Sequence, residues 1–173
     1  MSAFRSLVGK YKDVSFSLAC SVLHDEYEAE DALQESFIKV YRNIHKFRFQ
    51  SSFSTWVYKI VVNTCFTIAK KQKKHLHDDI DSCTGIELQQ SKTGFEELIE
   101  SEQKAIINKV LKMIKPEEAL LLRLFYLSDL DVKEIMEVTG FRESKIKVTL
   151  HRARKNALNE LQKNFVNELT QIV

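Results

Sequence analysis

One stretch of this sequence combines three kinds of side chain that are suited to binding single-stranded nucleic acid. Trp56 and Asn63 lie seven residues apart, and two helical turns place them on the same face. An aromatic ring stacks on an unpaired base, and an amide reads a base edge. The stretch ends in four lysines, which would hold phosphates: Lys70, Lys71, Lys73 and Lys74. The alternative is structural, with a core tryptophan, a capping asparagine and a solvated lysine tail.

A second pattern, nearer the carboxyl end, is typical of duplex DNA binding. A short apolar-periodic segment, 131–138, is followed by a turn at Gly140 and by a longer basic segment, 142–161. Glycine takes the left-handed conformation that ends many helices without steric cost. Helix, glycine turn and basic helix predict a helix-turn-helix, whose second helix enters the major groove. A plain helical hairpin with a soluble basic face is the alternative.

A third pattern lies on the outer face of the second predicted helix. Asp31, Gln34 and Glu35 share this face, and Lys39 follows Glu35 by four residues. One interpretation is an ordinary solvated face with an ion pair between adjacent turns. The other is a docking surface for a basic partner protein.

The elements that must position these residues are all predicted to be helical. Apolar residues recur at three- and four-residue spacing over 1–23, 28–47, 53–74, 98–114, 116–127, 131–138 and 142–161. A serine of the Gln50-Ser51-Ser52 loop is expected to cap the third helix, and Pro116 to begin the fifth. Four glycines and one proline in 173 residues argue against a sandwich or barrel. The predicted fold class is all-α, with a three-helix and a four-helix domain joined by a flexible linker.

The buried face of the third helix follows from the same periodicity. Its apolar positions recur every three or four residues and are expected to pack into the core of the first domain. They are Phe53, Val57, Ile60, Val61, Thr64 and Ile68.

Charge is spread unevenly along the chain, although the net charge is only +2. Residues 1–75 contain 12 basic and 7 acidic side chains, 76–97 contain 1 and 6, and 98–173 contain 13 and 11. Two basic-leaning blocks therefore flank an acidic, aperiodic segment, which we interpret as the linker. This asymmetry indicates a polyanionic partner.

Several classes of function are not supported by the sequence. Its three cysteines are widely spaced, which favours neither a disulfide framework nor a zinc site and predicts a reducing, cytoplasmic location. There is no signal-peptide pattern and no apolar run of membrane-spanning length. No catalytic triad order, phosphate loop or metal motif is present, so we expect no enzymatic activity, cofactor or metal.

Two sets of residues, taken together, resemble one known family. The first is Asp31-x-Leu33-Gln34-Glu35-Ser36-Phe37, Tyr41-Arg42, Phe47-Arg48, Phe53-Ser54-Thr55-Trp56-Val57-Tyr58-Lys59-Ile60 and Asn63. The second extends from Glu118 to Leu161 and includes Leu150-His151-Arg152-Ala153-Arg154-Lys155. These sets resemble regions 2 and 4 of an extracytoplasmic-function sigma factor of the sigma-70 family. The resemblance assigns 1–75 to region 2, 76–97 to the linker and 98–173 to region 4.

This resemblance implies a specificity subunit that binds core RNA polymerase and directs promoter recognition and melting. The family's D-x-L-Q-E helix docks on the clamp of the polymerase, which implies contacts from Asp31, Gln34, Glu35, Phe37 and Ile38. Minus-ten recognition maps onto Phe47, Arg48, the Gln50–Ser54 loop with Ser51 and Ser52, Trp56, Asn63, Lys70, Lys71, Lys73 and Lys74. Asn63 is expected to contact a base flipped from the non-template strand, and the lysines to hold duplex phosphates upstream.

The region 4 resemblance implies minus-thirty-five contacts from the recognition helix. The residues concerned are Arg142, Glu143, Ser144, Lys145, Lys147, Thr149 and Arg152. Helices 98–127 are expected to touch the polymerase flap, and the linker to thread toward the active-site channel and RNA exit path. Many members of the family also have an anti-sigma factor as a partner.

The chain departs from the family pattern in three places. Arg142 stands where the family usually has serine, and Thr149 where it frequently has arginine. Family members also commonly have a helical segment before the position of Met1. The arginine missing at position 149 removes one cationic contact to the minus-thirty-five element.

Two other functions remain open from the residues themselves. A polymerase-independent helix-turn-helix regulator would bind duplex DNA specifically, usually as a symmetric dimer. A protein–protein adaptor would use the helical surfaces without binding DNA. The two dissimilar halves of the chain favour the sigma factor over the symmetric regulator.

Overall fold

The computed structural model describes residues 2–75 and 95–165. The first half contains α1 (Ser2–Leu23), α2 (Glu26–Asn43), a 3-10 turn (Ile44–Lys46) and α3 (Phe53–His75). The second half contains α4 (Phe95–Met113), α5 (Pro116–Leu122), a π-helical turn (Arg123–Leu127), α6 (Val132–Thr139) and α7 (Glu143–Asn164). The all-α prediction is confirmed, since the described residues form no strands.

Some helix boundaries differ from the prediction for local reasons. Helix α2 begins at Glu26 because Asp25 caps it, with the Asp25 carboxylate accepting from the Glu28 amide at 2.9 Å. It ends at Asn43, before the tighter 3-10 turn, and not at Phe47. Helix α4 begins at Phe95, within the predicted linker, and 76–94 lie outside the described residues.

The first half is built around α3, which contacts α1, α2 and, from the second half, α6. The predicted core positions Val57, Val61 and Thr64 are buried, whereas Phe53, Ile60 and Ile68 are half-buried. Tyr58, Val62 and Cys65 are buried as well. Three neighbours cover more of the α3 circumference than the single predicted stripe, and this explains the wider burial.

The second half forms the predicted helix-turn-helix. Asp131 caps α6 in a capping box: its carboxylate accepts from the Glu134 amide at 2.8 Å, and Glu134 accepts from the Asp131 amide at 3.1 Å. Gly140 ends α6 with φ +72°. Ile146 and Leu150 bury the inner face of α7.

Helices α4, α5 and α7 of the second half each show one further feature. Pro116 does begin α5, as predicted. Near the end of α4, Leu111 is buried, whereas Met113 is 51% exposed. Arg142 occupies the cap position of α7 without a side-chain hydrogen bond, because an arginine offers no acceptor to the exposed amides.

The two halves touch through α3 and α6. The Thr55 hydroxyl, which is fully buried, donates to Glu134 at 2.7 Å, and Ser52 donates to the same carboxylate oxygen at 3.2 Å. Lys59 pairs with Glu137 at 3.3 Å. These polar contacts join the start of α3 to one face of α6, and apolar residues of both halves pack in one hydrophobic core beside them.

A second contact joins α1 to the region after α5. The Arg123 guanidinium donates to the Ser17 hydroxyl at 2.6 Å and to the Asn108 amide oxygen at 3.4 Å. Only 5% of Arg123 is exposed, and this burial lowers the pKa of its guanidinium. None of the helices in the described ranges is long and apolar enough to cross a membrane.

The glycine between α6 and α7 provides a test of the helix-turn-helix geometry. At φ +72°, Gly140→Ala forces an L side chain into the left-handed region, which costs about 1–2 kcal/mol. Gly9→Ala in α1 is the control, because nothing lies within 4 Å of the added carbon and alanine favours helix by about 0.5–1 kcal/mol. Urea unfolding should show opposite signs for the two variants. A stabilising Gly140→Ala would contradict the turn.

The buried Thr55 hydroxyl tests the contact between the halves. Thr55→Val keeps the shape but leaves Glu134 without its closest partner, at an expected cost of about 1–3 kcal/mol in unfolding free energy. Thr67→Val is the matched control on the same helix, since its exposed hydroxyl bonds only to the Asn63 carbonyl. Thermal denaturation should separate the two variants. Equal losses would show that the Thr55–Glu134 bond adds nothing.

Candidate nucleic-acid interface

The loop before α3 is held in place by a serine cap and an aromatic cluster. The Ser52 hydroxyl accepts from the Thr55 amide at 3.1 Å, which satisfies one of the free donors at the start of the helix. The ring of Phe47 lies 5.2 Å from Phe53 and 5.4 Å from Trp56. Hydrogen bonding and ring packing therefore fix both ends of this loop against α3.

An open groove of about 560 Å³ runs beside the cluster. Trp56 and Asn63 both line it, as their seven-residue spacing predicts; Trp56 is half-buried and Asn63 is exposed. The full lining is Lys39, Asn43, Lys46, Trp56, Ile60, Asn63, Thr64 and Thr67. The groove thus offers an aromatic edge, two amides and two cations to one ligand.

Sequence reasoning missed the α2 side of this groove. Lys39 donates to the Thr64 hydroxyl at 3.0 Å and pairs with Glu35 at 2.7 Å. Asn43 donates to the Lys39 carbonyl at 2.8 Å. In the sequence, Lys39 signals only an ion pair with the preceding turn. Its position opposite α3 follows from the packing of two helices, which spacing along one helix does not report.

The remaining predicted minus-ten residues lie around the groove and along α3. Arg48, Ser52, Lys70 and Lys71 are exposed, and Phe47 and Ser51 are half-buried. The backbone of α3 includes Lys73 and Lys74, whose side chains lie outside the described residues. The structure therefore brings Phe47 and Trp56 together, while Lys70 and Lys71 lie farther along the same helix.

Helix α7 and its cap residue expose most of the predicted minus-thirty-five residues. Arg142, Glu143, Ser144, Lys145, Lys147 and Arg152 are exposed. Lys147 pairs with Glu143 at 2.6 Å, and this hydrogen bond lowers the pKa of the Glu143 carboxyl. Lys145 lies 3.7 Å from the Phe141 ring centroid and 3.1 Å from Glu117. Two of the predicted contact cations thus already have intramolecular partners.

Thr149 is a correction to the predicted contact set. Only 2% of it is exposed, because it faces inward beside Leu150. Val148 is 56% exposed and lies on the outer surface instead. A shallow depression of about 290 Å³ lies on this side of α7 and is lined by Ser144, Lys145, Val148, Thr149 and Arg152. A threonine at this depth is suited to supporting the helix more than to touching a base.

The predicted polymerase-binding face of α2 is mostly exposed. Asp31, Gln34 and Glu35 are exposed, and Ile38 is 51% exposed. Phe37 differs from the prediction that it contacts the polymerase: its side chain is only 8% exposed, because it packs into the core of the first half. The available face therefore combines acidic and amide side chains with one exposed isoleucine.

Comparison with known proteins gives consistent matches over this fold. Residues 7–75 match the Sigma-70 region 2 family. The chain is 29% identical over 168 residues to the ECF RNA polymerase sigma factor SigW of Bacillus subtilis, covering 92% of this chain and 89% of that protein. It is 28% identical over 167 residues to the ECF RNA polymerase sigma-E factor of Haemophilus influenzae, covering 92% and 88%.

Solved structures agree on the fold. The sigma factor RpoE from Bartonella quintana, in complex with the anti-sigma factor NepR, matches with a TM-score of 0.71 at 18% identity, covering 95% of this chain and 99% of that one. CnrH, in complex with the cytosolic domain of CnrY, matches with a TM-score of 0.60 at 16% identity, covering 94% and 90%. Residues 7–75 therefore form a Sigma-70 region 2 domain, and the chain as a whole is similar in sequence and fold to extracytoplasmic-function sigma factors.

Proposed function

We propose that the chain is an alternative-type sigma factor that binds core RNA polymerase and directs promoter recognition and melting. The observation that carries this proposal is the open groove in which Trp56 and Asn63 lie opposite Lys39 and Lys46. A ring, an amide and cations in one groove suit an unpaired base and its phosphates. The chemistry of RNA synthesis belongs to the polymerase, and we assign no catalytic step to this chain.

At the minus-ten element, Asn63 would hydrogen-bond to a base flipped from the non-template strand. Extruding a base costs a few kcal/mol, which its capture against Trp56 and in the groove would offset. Phe47, Ser51 and Ser52 would shape the loop around it. Arg48 and the lysines at the end of α3 would neutralise phosphates, so the affinity should fall as salt rises.

At the minus-thirty-five element, α7 would lie in the major groove. Its exposed Lys145, Lys147 and Arg152 would contact phosphates or base edges, and the Val148 methyls would suit a thymine methyl group. Because Thr149 is buried, we do not assign it a base contact. Lys145 and Lys147 must leave their carboxylate partners in order to bind phosphate.

The proposed protein partners contact different halves of the chain. The clamp of core polymerase would dock on Asp31, Gln34, Glu35 and Ile38, and its flap on the segment 98–127. We place the boundaries of the two DNA-binding domains at 1–75 and 98–173, with 76–97 between them. An anti-sigma factor in the cytosol is a further proposed partner, supported by the related structure of RpoE with the anti-sigma factor NepR.

Promoter binding would require the two halves to separate. Minus-ten and minus-thirty-five elements lie about 25 base pairs apart, or about 85 Å at about 3.4 Å per base pair. In the structure, α3 contacts α6 directly, and Phe66 of α3 stacks at 6.3 Å on Phe141 at the turn before α7. Core polymerase would hold the halves apart, and their tethering would raise the effective concentration of each at its element.

The groove supplies the first functional prediction. Asn63→Ala should lower the rate of promoter opening by about 5- to 150-fold, the range expected from 1–3 kcal/mol of base recognition. The promoter would be selected from a randomised pool by run-off transcription with wild-type protein and core polymerase. Asn159→Ala makes the same chemical change at an exposed position of α7 and should leave opening unchanged.

The same selection separates the sigma factor from a free-standing regulator. Gel shifts on the selected duplex should show specific binding only when core polymerase is present. Tight site-specific binding by the chain alone would instead support a polymerase-independent helix-turn-helix regulator. Normal opening by both Asn63→Ala and Trp56→Ala would favour a protein–protein adaptor.

The α2 face supplies a second functional prediction. Ile38→Ala removes an exposed apolar side chain from the proposed clamp contact and should weaken core polymerase binding by about 5- to 30-fold, or 1–2 kcal/mol. Leu158→Ala, which truncates an equally exposed side chain on α7, is the control. Titration of labelled protein with core polymerase measures both. Equal affinities for the two variants would place the docking surface elsewhere.

A further inference from the structure

Phe49 combines two unfavourable features in the loop before α3. Its side chain is 85% exposed, and its backbone has φ +56°. A bulky side chain is rare in the left-handed region, where its first carbon crowds the backbone. Strain of this kind is found mostly at binding and catalytic sites, where another requirement outweighs it.

The other non-glycine residues with positive φ in the described ranges have ordinary explanations. His24 follows α1 with φ +59°, and Asp129 follows the π-helical turn with φ +51°. Histidine and aspartate are both enriched in this conformation, and helix ends commonly require it. Phe49 is of neither type, and it lies three residues beyond the 3-10 turn Ile44–Lys46. Its conformation and its exposure therefore call for a reason beyond chain reversal.

Ring contacts connect Phe49 to the groove. Its ring centroid lies 4.7 Å from that of Phe47, which in turn lies 5.4 Å from that of Trp56. Trp56 lines the groove beside Asn63. Phe49 is thus the outer end of an aromatic path that leads into the groove. The contact with Phe47 covers only a small part of the ring, so most of its surface is available to a ligand.

The surroundings of Phe49 favour a nucleic acid over an apolar protein surface. Its chain neighbours Arg48 and Gln50 are exposed and polar, and Lys46 nearby lines the groove. An apolar partner surface would leave these polar and cationic side chains without partners, at a cost in free energy. A single strand instead presents phosphates to cations and base faces to rings, at a spacing that successive aromatic side chains can follow.

We infer that Phe49 is a second stacking platform, which holds the unpaired base next to the one captured at Trp56 and Asn63. The inference rests on the proposed function and deepens it, because it assigns two consecutive bases to this half of the chain. The strained backbone holds the ring away from the loop and presents its free face to the strand. Phe49 would therefore stabilise the melted promoter without taking part in duplex recognition.

Three variants separate stacking from folding. Phe49→Ala removes the ring and should weaken binding to a pre-melted promoter by about 5- to 150-fold, as for other base-stacking side chains. Phe49→Gly should weaken it equally, while the melting temperature of the protein stays the same or rises, because glycine takes φ +56° without strain. Phe49→Trp should retain wild-type binding because it restores a ring.

The measurement uses holoenzyme assembled from core polymerase and the full chain. The probe is the selected promoter with a non-complementary bubble at minus ten, compared with its fully paired form. 2-Aminopurine placed at each unpaired non-template position reports stacking by loss of fluorescence. Phe49→Ala should restore fluorescence at one position adjacent to that affected by Asn63→Ala, with little effect on binding to the paired form before opening.

The outcomes distinguish this inference from the proposed function. If Asn63→Ala impairs opening but Phe49→Ala and Phe49→Gly bind the bubble like wild type, the stacking role is wrong and the sigma factor function stands. If the wild-type holoenzyme opens no promoter in the pool, both fail. A Phe49→Gly protein that melts at lower temperature and binds the bubble normally would show that the ring serves folding.

Discussion

Helix α3 packs against three neighbouring helices at once. The arrangement of the other candidate residues in the first half depends on this packing. Val57 and Val61 are sealed into the core, while Thr55 and Lys59 face α6. Packing on these sides prevents the helix from rotating without exposing apolar surface or stranding a buried hydroxyl. Trp56 and Asn63 are consequently held toward the groove, and ring contacts with Phe47 and Phe53 further fix Trp56.

The contact between α3 and α6 has a polar and an apolar part. In the polar part, hydrogen bonds to Glu134 and the ion pair between Lys59 and Glu137 hold the two helices together. Water can replace such partners when the surfaces part, so the net free energy of each bond is modest. Apolar residues of both halves also belong to one hydrophobic core, and separating the halves would expose part of this core to water. The proposed extended arrangement would therefore need the binding free energy of core polymerase and DNA to offset the loss of this apolar contact.

In the loop before α3, stabilising contacts and backbone strain fall on different residues. Ser52 and Phe47 anchor it by a cap and by ring packing, both of which lower the free energy of the folded chain. Phe49 lies between these anchors in a disfavoured conformation. The anchors allow one strained residue to persist between them, as over-determined surroundings do at other functional sites. Stability and ligand presentation are thus carried by different residues of one short loop.

Local features were predictable from the sequence because they depend only on neighbours along the chain. Helical periodicity, the Ser52 cap, the turn at Gly140 and the shared face of Trp56 and Asn63 all follow from backbone geometry within a few residues. The family motifs added their functional meaning. Tertiary structure decided which of these residues are reachable. Phe37 and Thr149 are buried, and Lys39 and Lys46 face Trp56 across a groove, because helices distant in sequence pack against one another. Burial and cross-helix contact are properties of pairs of elements, and spacing within one element does not contain them.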